Sequence, residues 1–157
     1  MREQGNAAFK EGKWEAAIDL YTQAIKEDPK DFKAISNRSA AYLKHAHALA
    51  TSGDAAAAKA REDALEDARL LVRLKPEWQK SQFRLAQALE AVGELREALA
   101  IARECRRLAC ASGGGEGRRE AQALVLRVER EWIAAYYGPL CAGAGIAGSV
   151  RVGLCAD

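Results

Sequence analysis

Five side chains in this sequence could together hold a pair of carboxylates. Arg2 and Asn6 are four residues apart, as are Lys80 and Arg84. That interval puts the two members of each pair on one face of a helix. Asn37 lies between the pairs in the chain. Arg and Lys bring positive charge, and the planar guanidinium of Arg can grip a carboxylate through two parallel hydrogen bonds. An asparagine amide donates to a carboxylate without adding charge. Three cations and two amides facing one another would satisfy two neighbouring carboxylates, such as the main-chain and side-chain acids of a C-terminal Asp. Phe83, beside Arg84, could give a ligand's aliphatic side chain an apolar wall or could belong to the core, and the sequence leaves both open.

Residues so far apart in the chain meet only if a repeating architecture stacks them. Such a repeat is visible. Arg2 to Lys10, the turn at Gly12, Trp14 to Glu27 and the closing Pro29 read as one helix–turn–helix unit of about 34 residues. Pro76 closes a second unit and lies 47 residues after Pro29, 13 more than one repeat length. A third unit runs from Glu77 through Leu89, turns at Gly93 and continues to Ala111. Small residues recur where helices must approach closely: Gly5, Ser39 and Ala86 in the first helices, Ala17, Ala64 and Ala98 in the second. Trp14, Tyr21, Tyr42, Leu71 and Leu89 fill the spaces between them. Stacked units of this kind form a solenoid with a concave groove, lined by the first helix of each unit. Asn37 and Arg84 occupy equivalent places in successive units, so the five polar residues fall into one strip.

With three units in register, and with Gly5-Asn6, Ser36-Asn37-Arg38-Ser39 and Leu74-Lys75-Pro76 in place, the chain resembles a tetratricopeptide repeat (TPR) domain. Within that family it is most similar to the domains of Hop-like co-chaperones. The resemblance covers about residues 2–137. It implies an all-α, right-handed superhelical solenoid of three helix pairs, over 2–30, 31–77 and 78–111, with a capping helix over 117–137. It also implies a carboxylate clamp that holds the final Asp of a Glu-Glu-Val-Asp tail on heat-shock chaperones of seventy or ninety kilodaltons. The matching positions are Arg2, Asn6, Asn37, Lys80 and Arg84, the first being Lys in the usual pattern. The implied function is a co-chaperone adaptor without catalysis or cofactor. Two alternatives stand beside it: a scaffold for another partner, and the targeting part of a larger enzyme such as a ubiquitin ligase, prolyl isomerase or phosphatase.

The 13 extra residues of the second unit are Ala-rich on both sides of Thr51-Ser-Gly-Asp54. Alanine favours helix, so both helices should lengthen by six or seven residues, roughly 10 Å each. The resulting hairpin, over residues 43–63, is expected to lie outside the polar strip and to be dispensable for peptide capture. Ser112 to Gly117 reads as a flexible break. Ala121, Leu124, Val125, Val128, Trp132, Ala135 and Tyr136 then form one apolar stripe on the final helix, which the last repeat needs as a cap. The Gly- and Ala-rich tail, 138–157, is expected to be poorly ordered. Its terminal Asp157 could in principle enter the chain's own clamp.

Composition narrows the field. The chain has 157 residues, 29% charged and 49% hydrophobic, with a net charge of +2. These are ordinary values for one globular domain, and the charge is too small to point to nucleic acid. Cys105, Cys110, Cys141 and Cys155 show no metal-binding spacing and read as reduced thiols of a cytoplasmic protein. His45 and His47 are two apart and fall on different sides of a helix, which argues against a metal site. No signal-peptide pattern, membrane span, catalytic triad or phosphate loop is present. The sequence begins almost inside its first helix, as an excised domain would.

Overall fold

The computed structural model describes residues 1–49, 55–111 and 115–143. Seven α-helices make up these residues: α1 (Arg2–Lys10), α2 (Trp14–Glu27), α3 (Phe32–Leu49), α4 (Ala55–Leu74), α5 (Gln79–Val92), α6 (Leu95–Ala111) and α7 (Gly115–Gly143). Each packs against its neighbours in sequence, as in TPR domains. α1 also meets α3, α3 meets α5, and α5 meets α7. The first helices of the three pairs therefore form one layer.

Turn chemistry sets the pairs. Gly12 and Gly93 have φ of 75° and 86° and close the α1–α2 and α5–α6 turns. A side chain would be strained there. Asp31 starts α3: its Oδ1 accepts hydrogen bonds from the backbone N–H groups of Lys33 and Ala34 at 3.0 and 3.1 Å, the usual role of an acid at a helix N-terminus. At the starts of α3 and α5, Phe32 and Trp78 meet edge to face at 5.1 Å and tie two units together.

The core follows the repeat. Ala17, Ser39, Ala64, Ala86 and Ala98 are fully buried, because only short side chains fit where helix backbones approach. Tyr21, Leu71 and Leu89 fill the intervening volume and are also buried. Each leucine contributes about 1.5–3 kcal/mol by leaving water. Arg38 and Asp67 form a buried bidentate pair between α3 and α4, at 2.8 and 2.7 Å. Thr22 of α2 accepts a further bond from Arg38. The hydrogen bonds to Asp67 raise the affinity of Arg38 for its proton.

The insertion lengthens both helices of the second pair, to 18 residues in α3 and 20 in α4. The Thr51-Ser-Gly-Asp54 turn lies outside the described residues, as do residues 112–114 and 144–157. On α7, Ala121, Leu124, Val125 and Val128 are buried against the last pair, whereas Ala135 and Tyr136 are exposed. The stripe thus seals the core from Ala121 to Val128, and Trp132 beyond them is half-buried. The helix does not stop at Tyr137: its backbone continues through Gly138 and Pro139 to Gly143. The tail expected to be poorly ordered is helical over those six residues. Nucleation is the costly step of helix formation, so a helix already six turns long extends more readily than its stop residues suggest.

Among the described residues, Cys105 and Cys110 are free. Burial pushes the Cys105 thiol up to about 11. No helix among these residues is long and apolar enough to cross a membrane.

Candidate functional site

The inner layer presents repeating faces. On α3 the positions 37, 40, 44 and 47 share one face, and on α5 so do 80, 84, 87 and 91. These faces bound three neighbouring cavities, each lined in part by Arg84.

At the centre, Asn6, Asn37 and Arg84 line one cavity of about 340 Å³ together with Tyr21 and Phe9. The two amides touch. Asn37 Nδ2 donates to Asn6 Oδ1 at 2.9 Å, and the Tyr21 hydroxyl donates to the same oxygen at 2.8 Å. With its acceptor occupied twice, Asn6 is held with its Nδ2 as the group left to interact. That nitrogen donates to Glu3 at an exposed 3.3 Å contact, one that a better anion could replace. Tyr21 reaches the site because Gly5 has no side chain: a Cβ there would stand 2.7 Å from Tyr21 Cε1.

Lys80, Phe83 and Arg84 line the adjoining cavity with Trp78, Leu108 and Glu120. Lys80 is exposed and its ammonium lies 6.0 Å from the Trp78 ring. Partial burial, then repulsion from Arg84, lowers its affinity for a proton, and Glu120 opposes that. Arg84 is also lowered, by burial, with Glu120 again opposing. Its Nη1 donates to Gln87 at 2.8 Å, but its Nε is buried without a hydrogen-bond partner. Phe83 has both roles left open by the sequence: it packs against the α5–α6–α7 core and it also faces the cavity.

Arg2 stands apart. It donates to Asp31 at 2.9 Å and pairs weakly with Glu3 at 3.5 Å, and it does not line the cavities around Arg84. Asn6 and Asn37 therefore share one cavity with Arg84, Lys80 and Phe83 share an adjoining one with it, and Arg2 is tied to the start of α3.

A third cavity, of about 750 Å³, continues from Arg84 along α3 and α5. Ala46 and His47 of α3 and Arg61 of α4 line it. This corrects the expectation that the hairpin lies outside the polar strip. Lengthening α3 extends its inward face by whole turns, so the face that begins at Asn37 runs on through Ala40, Lys44 and His47. His45, next to Lys44 in the chain, turns instead toward Glu15 of α2, at 3.8 Å.

Four residues that line the site escaped the sequence reading. Tyr21 passes as a core aromatic, Lys10 and Gln87 are ordinary helix residues, and Glu120 belongs to the capping helix. Only the i, i+3, i+7 spacing from Lys80 and Arg84 could have pointed to Gln87.

A TPR repeat family model matches residues 5–45. The chain is 37% identical over 98 residues to the Protein STIP1 homolog of Dictyostelium discoideum, covering 62% of this chain and 15% of that protein. It thus spans only a small part of that relative's length. Among solved structures, it is similar to the TPR2B domain of yeast Sti1 in complex with a pHsp70 peptide, with a TM-score of 0.67 and 26% identity over 83% of this chain and 94% of the other. It is also similar to the first TPR of Spaghetti (RPAP3) bound to the HSP90 peptide SRMEEVD, with a TM-score of 0.66 and 26% identity over 83% and 89% of the two chains.

Proposed function

This chain is a TPR domain that resembles the Sti1 and RPAP3 domains solved with chaperone peptides, and from that premise we propose that it is a co-chaperone adaptor module binding the acidic C-terminal tail of cytoplasmic heat-shock chaperones. The terminal Asp would be held by the Asn6 and Asn37 amides and the Lys80 and Arg84 cations, with Arg2 exchanging Asp31 for the ligand or acting only at the rim. Phe83 would flank the ligand's aliphatic side chain.

The observation that carries this reading is the state of Arg84. A guanidinium with a buried, unpartnered Nε is costly to keep, because burying a donor without a partner costs about 1–3 kcal/mol. Lys80 adds a second cation beside it, with its proton loosened by partial burial and then by Arg84. A carboxylate entering between them would relieve the repulsion and accept from the part of the guanidinium that faces the cavity. The preformed amide pair would fix its orientation.

Charge reversal tests the proposal. Lys80→Glu should weaken binding of a Glu-Glu-Val-Asp peptide by about 2–5 kcal/mol, with an unaltered circular dichroism spectrum. A variant that keeps wild-type affinity would exclude Lys80 from the clamp.

A further inference from the structure

A second cleft lies between α6 and α7, with a volume of about 450 Å³. Arg103 of α6 donates to Glu129 of α7 at 2.9 Å, and Arg106 donates to Gln122 at 3.2 Å, so the two helices run antiparallel along it. The cleft faces away from the groove. On α7 it is lined by Gln122 and Leu126, whereas Glu120 lines the cavity beside Trp78. Residues two apart on a helix point about 200° from one another. The same interval on α6 separates Arg106, in the cleft, from Leu108, in the groove.

The charge of this cleft is one-sided. Arg106, Arg118 and Arg119 line it, and no acidic side chain among the described residues does. Glu129 is taken up by Arg103 and Glu104 by Arg107. Glu116 lies in the first turn of α7 but does not line the cleft. Arg118 and Arg119 are exposed and have no hydrogen-bond or ion-pair partner among the described residues. Between these cations lies an apolar floor. Leu126 is 50% exposed, and the other large apolar side chains left exposed among the described residues are Met1 and Tyr136. A lone exposed leucine on a flat surface is ordinary. On the floor of a cleft rimmed by guanidiniums it has the make-up of an interface anchor, apolar at the centre and charged around it.

Charge complementarity names the occupant. Three arginines without acids call for carboxylates, and the leucine floor calls for an apolar side chain among them. The cleft has no aromatic side chain on which a base could stack, and one leucine offers little apolar area to a membrane. We infer that the α6–α7 cleft is a second docking surface, which takes an acidic protein segment carrying one bulky apolar residue between its carboxylates. Leu126 receives the apolar residue, and the three arginines pair with the acids on either side. This surface needs no chain end and does not rest on the clamp reading. Because it faces away from the groove, the domain can hold two ligands at once.

The test uses an acetylated and amidated peptide, Asp-Glu-Glu-Phe-Glu-Glu-Asp, whose blocked end the clamp cannot hold. Binding to the whole domain is read by calorimetry and by N-ethylmaleimide alkylation of Cys110, an exposed free thiol in the cleft, located by mass spectrometry. With peptide at about ten times its Kd, Cys110 should react about tenfold more slowly, in proportion to the free fraction. Lys80→Glu should leave that protection intact. Arg118→Glu/Arg119→Glu should weaken binding at least about tenfold, since each exposed ion pair is worth up to about fivefold and reversal adds repulsion. Leu126→Asn, at an exposed position, and the peptide with alanine in place of its phenylalanine should each weaken binding about fivefold. Circular dichroism checks each variant's fold. No binding up to about 1 mM peptide overturns the inference. So does equal affinity for the alanine peptide, which would leave only a non-specific anion patch. Protection lost in Lys80→Glu would put the peptide in the groove and overturn it too. Dimerisation in sedimentation velocity, or binding to phosphatidylserine vesicles, that Arg118→Glu/Arg119→Glu abolishes would give the face to a second copy or to lipid and overturn the peptide reading. None of these outcomes bears on the clamp.

Discussion

Arg84→Met should leave the free domain about as stable as the wild type while removing most of its peptide affinity. In the free protein the guanidinium has Nε buried and unpartnered, Nη1 on Gln87 at 2.8 Å, and the Phe83 ring 5.9 Å from its carbon. Methionine keeps most of the apolar stem and removes the charge. The gain is relief of the unmade donor, about 1–3 kcal/mol. The losses are the Gln87 bond, about 0.5–1.5 kcal/mol, and the ring contact, about 0.5–1 kcal/mol. These nearly cancel, so the free energy of unfolding should move by less than about 1 kcal/mol in either direction. Binding behaves differently. Removing one partner of a buried charge pair costs about 2–5 kcal/mol, about thirtyfold to several thousandfold in Kd. Urea denaturation followed by circular dichroism gives the first quantity and calorimetric titration the second. A loss of about 3 kcal/mol or more in stability would place Arg84 among structural residues, and its burial would then say nothing about a ligand.

Two substitutions test the framework that holds the site. Gly5→Ala places a Cβ 2.7 Å from the Tyr21 ring; this overpacking should cost about 1–3 kcal/mol, read as a drop of several degrees in Tm, and should also weaken peptide binding because Tyr21 orients Asn6. Normal peptide affinity in a folded Gly5→Ala protein would show that the Tyr21–Asn6 bond does not matter to the site. Asp67→Ala leaves Arg38 buried with only Thr22 as acceptor, and the urea midpoint should fall by the equivalent of about 3–5 kcal/mol; a change under about 1 kcal/mol would mean that water solvates this pair.

Much of the architecture was legible because the repeat repeats its packing. Ala17, Ala64 and Ala98 mark the same helix crossing in three units, and all three are fully buried. Asn6, Asn37 and Arg84 could be placed on one strip by the same register, and they line one cavity. What could not be read depends on contacts between units. The Arg2–Asp31 pair spans 29 residues, and nothing in the local pattern says that Asp31 both starts α3 and holds Arg2. Tyr21 carries an apolar ring and a polar hydroxyl, and the pattern of burial reports only the ring. The inward turn of Lys44 and His47 was hidden by treating the insertion as a unit, when the phase of α3 carries straight through it. Glu120 enters the site from a helix whose sequence signal is a capping stripe on another face.

The most direct test of the central claim compares one acidic peptide with a free and with an amidated C-terminus, titrated into the wild-type domain under identical salt. The clamp needs the terminal carboxylate as well as the side-chain acid. Amidation should therefore weaken binding by at least about tenfold, the loss of one charge-assisted contact of about 1.5–3 kcal/mol. Equal affinity for the two peptides would contradict the account, because the amide pair and the Lys80–Arg84 cations would then be recognising something other than a chain end.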